Sequence, residues 1–137
     1  AWREMCAKNP DFDIARLFAR GNPHLSAAEC AAYAAPFPDK GHRAATRAFP
    51  AMVPDTLDAP GAAVSRAARD FWQHTWQGQS MMAVGMRDPV LGPSTMVHLR
   101  SLIRGCAEPI FIEQGGHFLQ EMGAPIAQAA VGFFRQA

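Results

Sequence analysis

Asp88 and His117 are the residues of this chain best placed for acid–base chemistry. Asp88 follows Val84 by four residues, at the end of the apolar run Met81-Met82-Ala83-Val84. His117 follows Ile112 by five residues, after the run Ile110-Phe111-Ile112. Short apolar runs without alternation read as strands buried on both faces. A lone Asp in such a loop is usually a turn or cap residue, and a lone His after Gly-Gly is more often a surface residue. The two residues gain meaning together. If the runs pair as parallel strands, both loops leave the carboxyl edge of one sheet, where open α/β sheets build their sites. Neighbouring strands lie ~4.8 Å apart, so the side chains can meet. An Asp that fixes one tautomer of a His and stabilises its imidazolium is the acid–base half of a catalytic triad.

Chain order supports that pairing. In α/β-hydrolases the nucleophile comes first, then the acid, then the His. Here the acid precedes the His near the C-terminus, and the 137 residues hold neither Gly-x-Ser-x-Gly nor Gly-x-Asp-x-x-Gly. The nucleophile is therefore expected upstream of Ala1. The chain starts at Ala1 without an initiator Met or a signal-peptide pattern, which predicts processing or a piece of a longer protein.

The elements that must carry these loops follow from periodicity and breakers. Phe12, Ile14, Ala15, Leu17 and Phe18 form a short amphipathic segment that Gly21 can end. Ser26-Ala-Ala-Glu29 is a capping-box pattern, and the helix it opens should stop before Pro36. Pro36-Phe37-Pro38-Asp39 reads as a turn. A further helix is expected to run to about Phe49 and to be interrupted by Pro50. Residues 54–61 read as a loop. Val64, Ala67, Ala68, Phe71, Trp72, Thr75 and Trp76 recur at helical spacing and predict a surface helix with one buried stripe, which puts Trp72 and Trp76 in the core. Pro93 and Ser94 can open a helix burying Met96, Leu99, Leu102 and Ile103, closed by Gly105. Pro125 fits the first turn of a last helix packing Ile126, Ala129, Ala130, Phe133 and Phe134. Strand, helix, strand, helix implies an α/β arrangement of two parallel strands joined by a crossover.

Composition narrows the classes. Hydrophobic residues at 49% and charged residues at 18% exclude a disordered chain. A net charge of +1 leaves no basic footprint for nucleic acid. No apolar run approaches the ~20 residues of a membrane-spanning helix. Three cysteines without Cys-x-x-Cys spacing disfavour a disulfide framework or a zinc site, so a reducing cytoplasm is the expected location.

Longer motifs carry a family resemblance. Met82-Ala-Val-Gly-Met-Arg-Asp88-Pro-Val-Leu-Gly-Pro93 resembles the acid-bearing strand and loop of haloalkane dehalogenases. Gly105-Cys-Ala-Glu-Pro109 and Gly115-Gly-His117-Phe-Leu-Gln-Glu121 resemble the stretch bearing their base. Ala32-Tyr-Ala-Ala-Pro-Phe-Pro-Asp39 and Phe71-Trp-Gln73 resemble segments of their cap and of the chain after it. The resemblance implies the C-terminal portion of an α/β-hydrolase fold. Residues 1–60 would be part of a helical cap domain, and residues 61–137 the C-terminal part of the core domain. It implies hydrolysis of carbon–halogen bonds through an alkyl-enzyme ester, with Asp88 and His117 as catalytic acid and base, and with no metal or cofactor.

The resemblance also implies that Trp2 is a halide-binding donor, for which an ordinary packed aromatic is the alternative, and that Phe49, Pro50, Val53, Val90 and Leu91 line the substrate cavity. Plain core packing is the alternative for these five. The implied partners are a small halogenated hydrocarbon, halide, water and the missing N-terminal part of the fold, with no nucleic acid or membrane. By itself the chain is expected to be inactive. Three other readings stay open: an epoxide hydrolase, which normally uses cap tyrosines where this chain has only Tyr33; a serine esterase; and a non-catalytic truncated fragment.

Overall fold

A computed structural model describes residues 2–9 and 11–135 of the chain. The chain divides into two compact units, Ala1–Val64 and Ser65–Ala137.

The first unit is helical: α1 (Trp2–Lys8), α2 (Ile14–Gly21), α3 (Ala27–Ala34) and α4 (Ala44–Met52). The Asp13 side chain accepts from the Arg16 N–H and starts α2. Ser26 and Glu29 form the expected capping box at α3, each satisfying a backbone N–H of the other. α3 ends at Ala34, ahead of Pro36, although Ala35 itself keeps helical angles (φ −53°, ψ −37°) and tightens the last turn through its N–H to the Ala32 carbonyl; Pro36, with no N–H, cannot extend the ladder.

α4 departs from expectation, because it runs through Pro50 to Met52. Proline in a last turn removes one hydrogen bond, the one the Thr46 carbonyl would accept. The remaining carbonyls there have another partner. Arg3 Nε donates to the Pro50 carbonyl at 3.0 Å, and the guanidinium also reaches the Val53 carbonyl and Asp55. A cation on the last carbonyls is favoured by the helix dipole as well.

The second unit opens with α5 (Ala62–Asp70), which begins just inside the first, and continues as a π-helical turn over Phe71–Thr75. Then follow β1 (Ala83–Gly85), α6 (Pro93–Ser101), β2 (Ile110–Ile112), a 3-10 turn (Leu119–Met122) and α7 (Gly123–Phe134). β1 and β2 pair in parallel, with Ala83 opposite Ile110, Val84 opposite Phe111 and Gly85 opposite Ile112. This is an α/β arrangement of parallel strands with flanking helices, consistent with a C-terminal portion of an α/β-hydrolase fold. Pro93 occupies the first turn of α6, where its missing N–H costs nothing. Gly105, at φ +70°, takes a left-handed position just after that helix. Among the described residues no helix is long and apolar enough to cross a membrane.

The core of this unit is small. Met82, Val84 and Cys106 are buried, with Met96 and Ile103 packed against them. The expected burial fails in several places. β1 itself begins at Ala83 rather than Met81, after a single parallel bridge between Ser80 and Cys106, and Ile110 and Phe111 are exposed. Val64 and Leu99 are exposed, and Phe71 and Trp72 retain 43% and 38% of their accessible surface. Periodicity correctly marks an apolar stripe, but burial needs a second layer over it, and two three-residue strands are too narrow to cover α5. Phe71, Trp72 and Trp76 pack on one another instead, with ring centroids 4.8–6.2 Å apart. Trp76 is half-buried, and its indole N–H donates to Ser80 Oγ at 2.9 Å.

Candidate active site

Both loops of interest leave the same end of the β1–β2 pair, and the ladder continues past the strands into them. The Met86 N–H donates to the Ile112 carbonyl at 3.1 Å, and the Arg87 N–H to the Gly115 carbonyl at 2.9 Å. Asp88 is the next residue on one side, and His117 lies two beyond Gly115 on the other. His117 Nδ1 is 3.0 Å from each carboxylate oxygen of Asp88.

The Asp88 carboxylate is fixed from a second direction. Its Oδ1 accepts the N–H groups of Val90 (2.7 Å) and Leu91 (2.9 Å). Only 7% of the Asp88 side chain is exposed, against 41% for His117. Burial pushes the Asp88 carboxyl up, but the Leu91 and Val90 N–H groups and the His117 imidazole together outweigh it. The net result lies below the ordinary carboxylate value.

The geometry assigns proton positions. An ionised carboxylate only accepts, so Nδ1 facing it carries the proton in the neutral ring. Nε2 then holds a free lone pair, and the more exposed side of the pair is the imidazole. This arrangement can take a proton at Nε2 while the carboxylate balances the charge at Nδ1.

A lowered carboxyl pKa also makes a stability prediction. Asp88 stabilises the fold fully above its unfolded value of ~3.9, and the contribution disappears as pH falls through the lower folded value. In acid titrations of unfolding, wild type should exceed Asp88→Asn in stability near neutrality. The gap should close below about pH 4. A gap that stays constant down to pH 2 would show that the charge is not the stabilising feature.

The remaining expected site residues lie as follows. Val90 and Leu91 flank the acid, and their side chains are exposed. Their backbone N–H groups make the contacts with Asp88, a role that the sequence reading missed. The signal was present in Asp88-Pro-Val-Leu-Gly92, since Asp commonly bonds the backbone two residues on. Trp2, at the start of α1, is exposed and packs edge-on against Phe12 at 6.4 Å. Phe49 and Val53 are exposed at the end of α4, with Pro50 between them less so. The Arg3 guanidinium links that end of α4 to the helix bearing Trp2. A cleft of about 460 Å³ in the first unit is lined by Met5, Asn9, Phe12, Arg16 and Arg20 among others, not by Phe49, Pro50 or Val53. Among the described residues no three His, Cys, Asp or Glu side chains converge as a metal site would need.

No family model matches the chain. It is 34% identical over 125 residues to a haloalkane dehalogenase of Mycobacterium marinum, an alignment covering 90% of this chain and 42% of that protein. A haloalkane dehalogenase of Psychrobacter cryohalolentis is 33% identical over 138 residues, covering 96% of this chain and 44% of the relative. The structure of the tetrameric haloalkane dehalogenase DpaA from Paraglaciecola agarilytica NO2 superposes with a TM-score of 0.87 at 36% identity, over 96% of this chain and 44% of that one. The chain therefore spans a little over two fifths of the length of these relatives. With sequence and fold agreeing over nearly all its residues, the chain is a homologue of the haloalkane dehalogenases with the α/β-hydrolase fold.

Proposed function

We propose that this chain supplies the acid and base of a hydrolytic haloalkane dehalogenase. The observation that carries the reading is the carboxylate–imidazole pair, Asp88 to His117 Nδ1 at 3.0 Å, at the carboxyl ends of two parallel strands. A nucleophilic carboxylate outside residues 1–137 attacks the carbon bearing the halogen. Halide leaves with the bonding electrons, and an ester joins substrate to enzyme. Water then attacks the ester as His117 Nε2 takes its proton. The alcohol departs and the carboxylate is restored. Asp88 remains ionised throughout and stabilises the imidazolium. Neither step calls for a metal or cofactor.

In this reading residues 1–60 belong to the cap and residues 61–137 to the core. By the family resemblance, Phe49, Pro50, Val53, Val90 and Leu91 are each assigned to the apolar walls of the complete enzyme's substrate cavity. Such walls exclude water from the nucleophile. Three free, buried cysteines support a reducing compartment such as the cytoplasm. The enzyme containing this chain should release halide and alcohol in equal amounts from primary bromoalkanes. Diol from a terminal epoxide, with no halide from bromoalkanes, would replace this reading with an epoxide hydrolase.

Trp2 is the halide donor in this reading, because an indole N–H donates and does not accept. Trp2→Phe keeps most of the apolar area and removes that donor. Halide affinity should fall roughly 10- to 150-fold, the equivalent of about 1.5–3 kcal/mol for a hydrogen bond to a charged group. Bromide binding followed by fluorescence of the remaining tryptophans measures it. Unchanged affinity would remove Trp2 from the halide site.

A further inference from the structure

Two stretches of backbone come unusually close just before the acid and base diverge. A Cβ on Gly85 would lie 2.7 Å from the carbonyl oxygens of both Gly115 and Gly116, and 2.9 Å from the Gly115 carbonyl carbon. Real Cβ atoms essentially never approach that closely, and backbone cannot swing aside as a side-chain tip can. Gly85 has no left-handed φ, so conformational freedom does not explain a glycine there. The lack of a side chain does. The same contact makes the hydrogen bond from the Arg87 N–H to the Gly115 carbonyl possible. Gly115 is buried, and His117 follows two residues later.

We infer that Gly85 is a positioning residue for the acid–base pair: its missing side chain lets the 115–116 backbone lie against the end of β1, and this seats His117 Nδ1 on Asp88. The inference rests on the proposed role of that pair only where it concerns turnover. The seating itself can be read without any reaction. A Cβ at residue 85 must push residues 115–116 outward, since β1 is buried behind it. The shift passes to His117 through a single intervening residue. Displacement of about 1 Å at a reacting group can cost on the order of 10²-fold in rate.

The test compares variants of the complete enzyme carrying ¹⁵N-histidine, with the ring signals of His117 assigned through His117→Gln. Wild type is expected to hold the Nδ1–H tautomer, which the ring nitrogen shifts report directly. Gly85→Ala should lose it and give the same tautomer mixture as Asp88→Ala. Gly116→Ala should retain it. Gly116 is the immediate neighbour of His117, yet a Cβ there meets nothing within 4 Å. The effect therefore follows the space available, not nearness in sequence. If Gly85→Ala fails to fold, Gly115→Ala replaces it. Its Cβ would lie 3.1 Å from Gly85 Cα and 2.4 Å from the movable tip of Leu119, so a partial loss is expected.

A wild-type tautomer in Gly85→Ala, or in Gly115→Ala where that variant is used, would overturn the inference. So would an equal loss in Gly116→Ala, which would show a generally sensitive loop. In the complete enzyme, Gly85→Ala should lower ester hydrolysis about 10²-fold and leave the first equivalent of halide intact. If the enzyme released no halide at all, the proposed function would fail while the tautomer result stood.

Discussion

In an enzyme containing this chain, His117→Gln should release one equivalent of halide per site and then stop. The two chemical steps draw on different groups. Carbon–halogen cleavage needs a carboxylate aimed at carbon and a donor for the leaving anion. Ester hydrolysis needs a base that can take a proton from water. Glutamine matches much of the imidazole's bulk and can still donate to Asp88, but it takes no proton near neutral pH. General-base assistance is worth roughly 10²- to 10⁴-fold, so multiple turnover should fall by at least that range and the covalent ester should accumulate. Rapid-quench measurement of halide, with mass spectrometry of the intact protein, follows both. Sustained turnover near the wild-type rate would take the base role away from His117. Loss of the first halide equivalent would place His117 in the first step instead.

Residues 1–137 expressed alone should give no halide above background. The 137 residues contain no elbow motif to present a nucleophilic carboxylate. Without the ester, the acid–base pair has nothing to hydrolyse. Adding a segment that carries such an elbow, by fusion or in trans, should take the rate from undetectable to measurable, and His117→Ala should abolish the gain. The surface of the second unit points the same way. Phe71, Trp72, Ile110, Phe111, Val131 and Phe134 are all exposed. Apolar surface of that extent favours association. The chain alone should sediment above its monomer mass and bind a hydrophobic dye, and the complementing segment should reverse both. Halide release from the chain alone, sensitive to His117→Ala, would reveal a nucleophile within residues 1–137. A monodisperse monomer that unfolds cooperatively would show that the exposed aromatics need no cover.

What could be read from the sequence was what local chemistry decides. Ser26 and Glu29 three residues apart can satisfy each other's backbone, so the start of α3 was visible. Pro36 and Pro93 act on their immediate neighbours and marked a helix end and a helix start. Asp88 and His117 were visible because each follows a short apolar run, and runs of that kind pair in parallel. What escaped depends on residues remote in sequence. The continuation of α4 through Pro50 relies on Arg3, 47 residues away. The exposure of Phe71 and Trp72 depends on whether a second layer covers them, and periodicity reports only that a stripe exists. The need for Gly85 is visible only once β2 has brought Gly115 beside it.

The ladder that runs beyond β1 and β2 has a consequence for how such a protein can change over generations. Acid and base are tied to each other through bonds made entirely within residues 83–117. None of those bonds involves Phe49, Pro50 or Val53. If these three positions line the substrate cavity, as the proposed function has it, substitutions there reshape which molecules are accepted without detuning the proton transfer assigned to Asp88 and His117. Selection for a new substrate and selection for turnover then act on separate stretches of sequence. A lineage can explore the first while the second stays fixed.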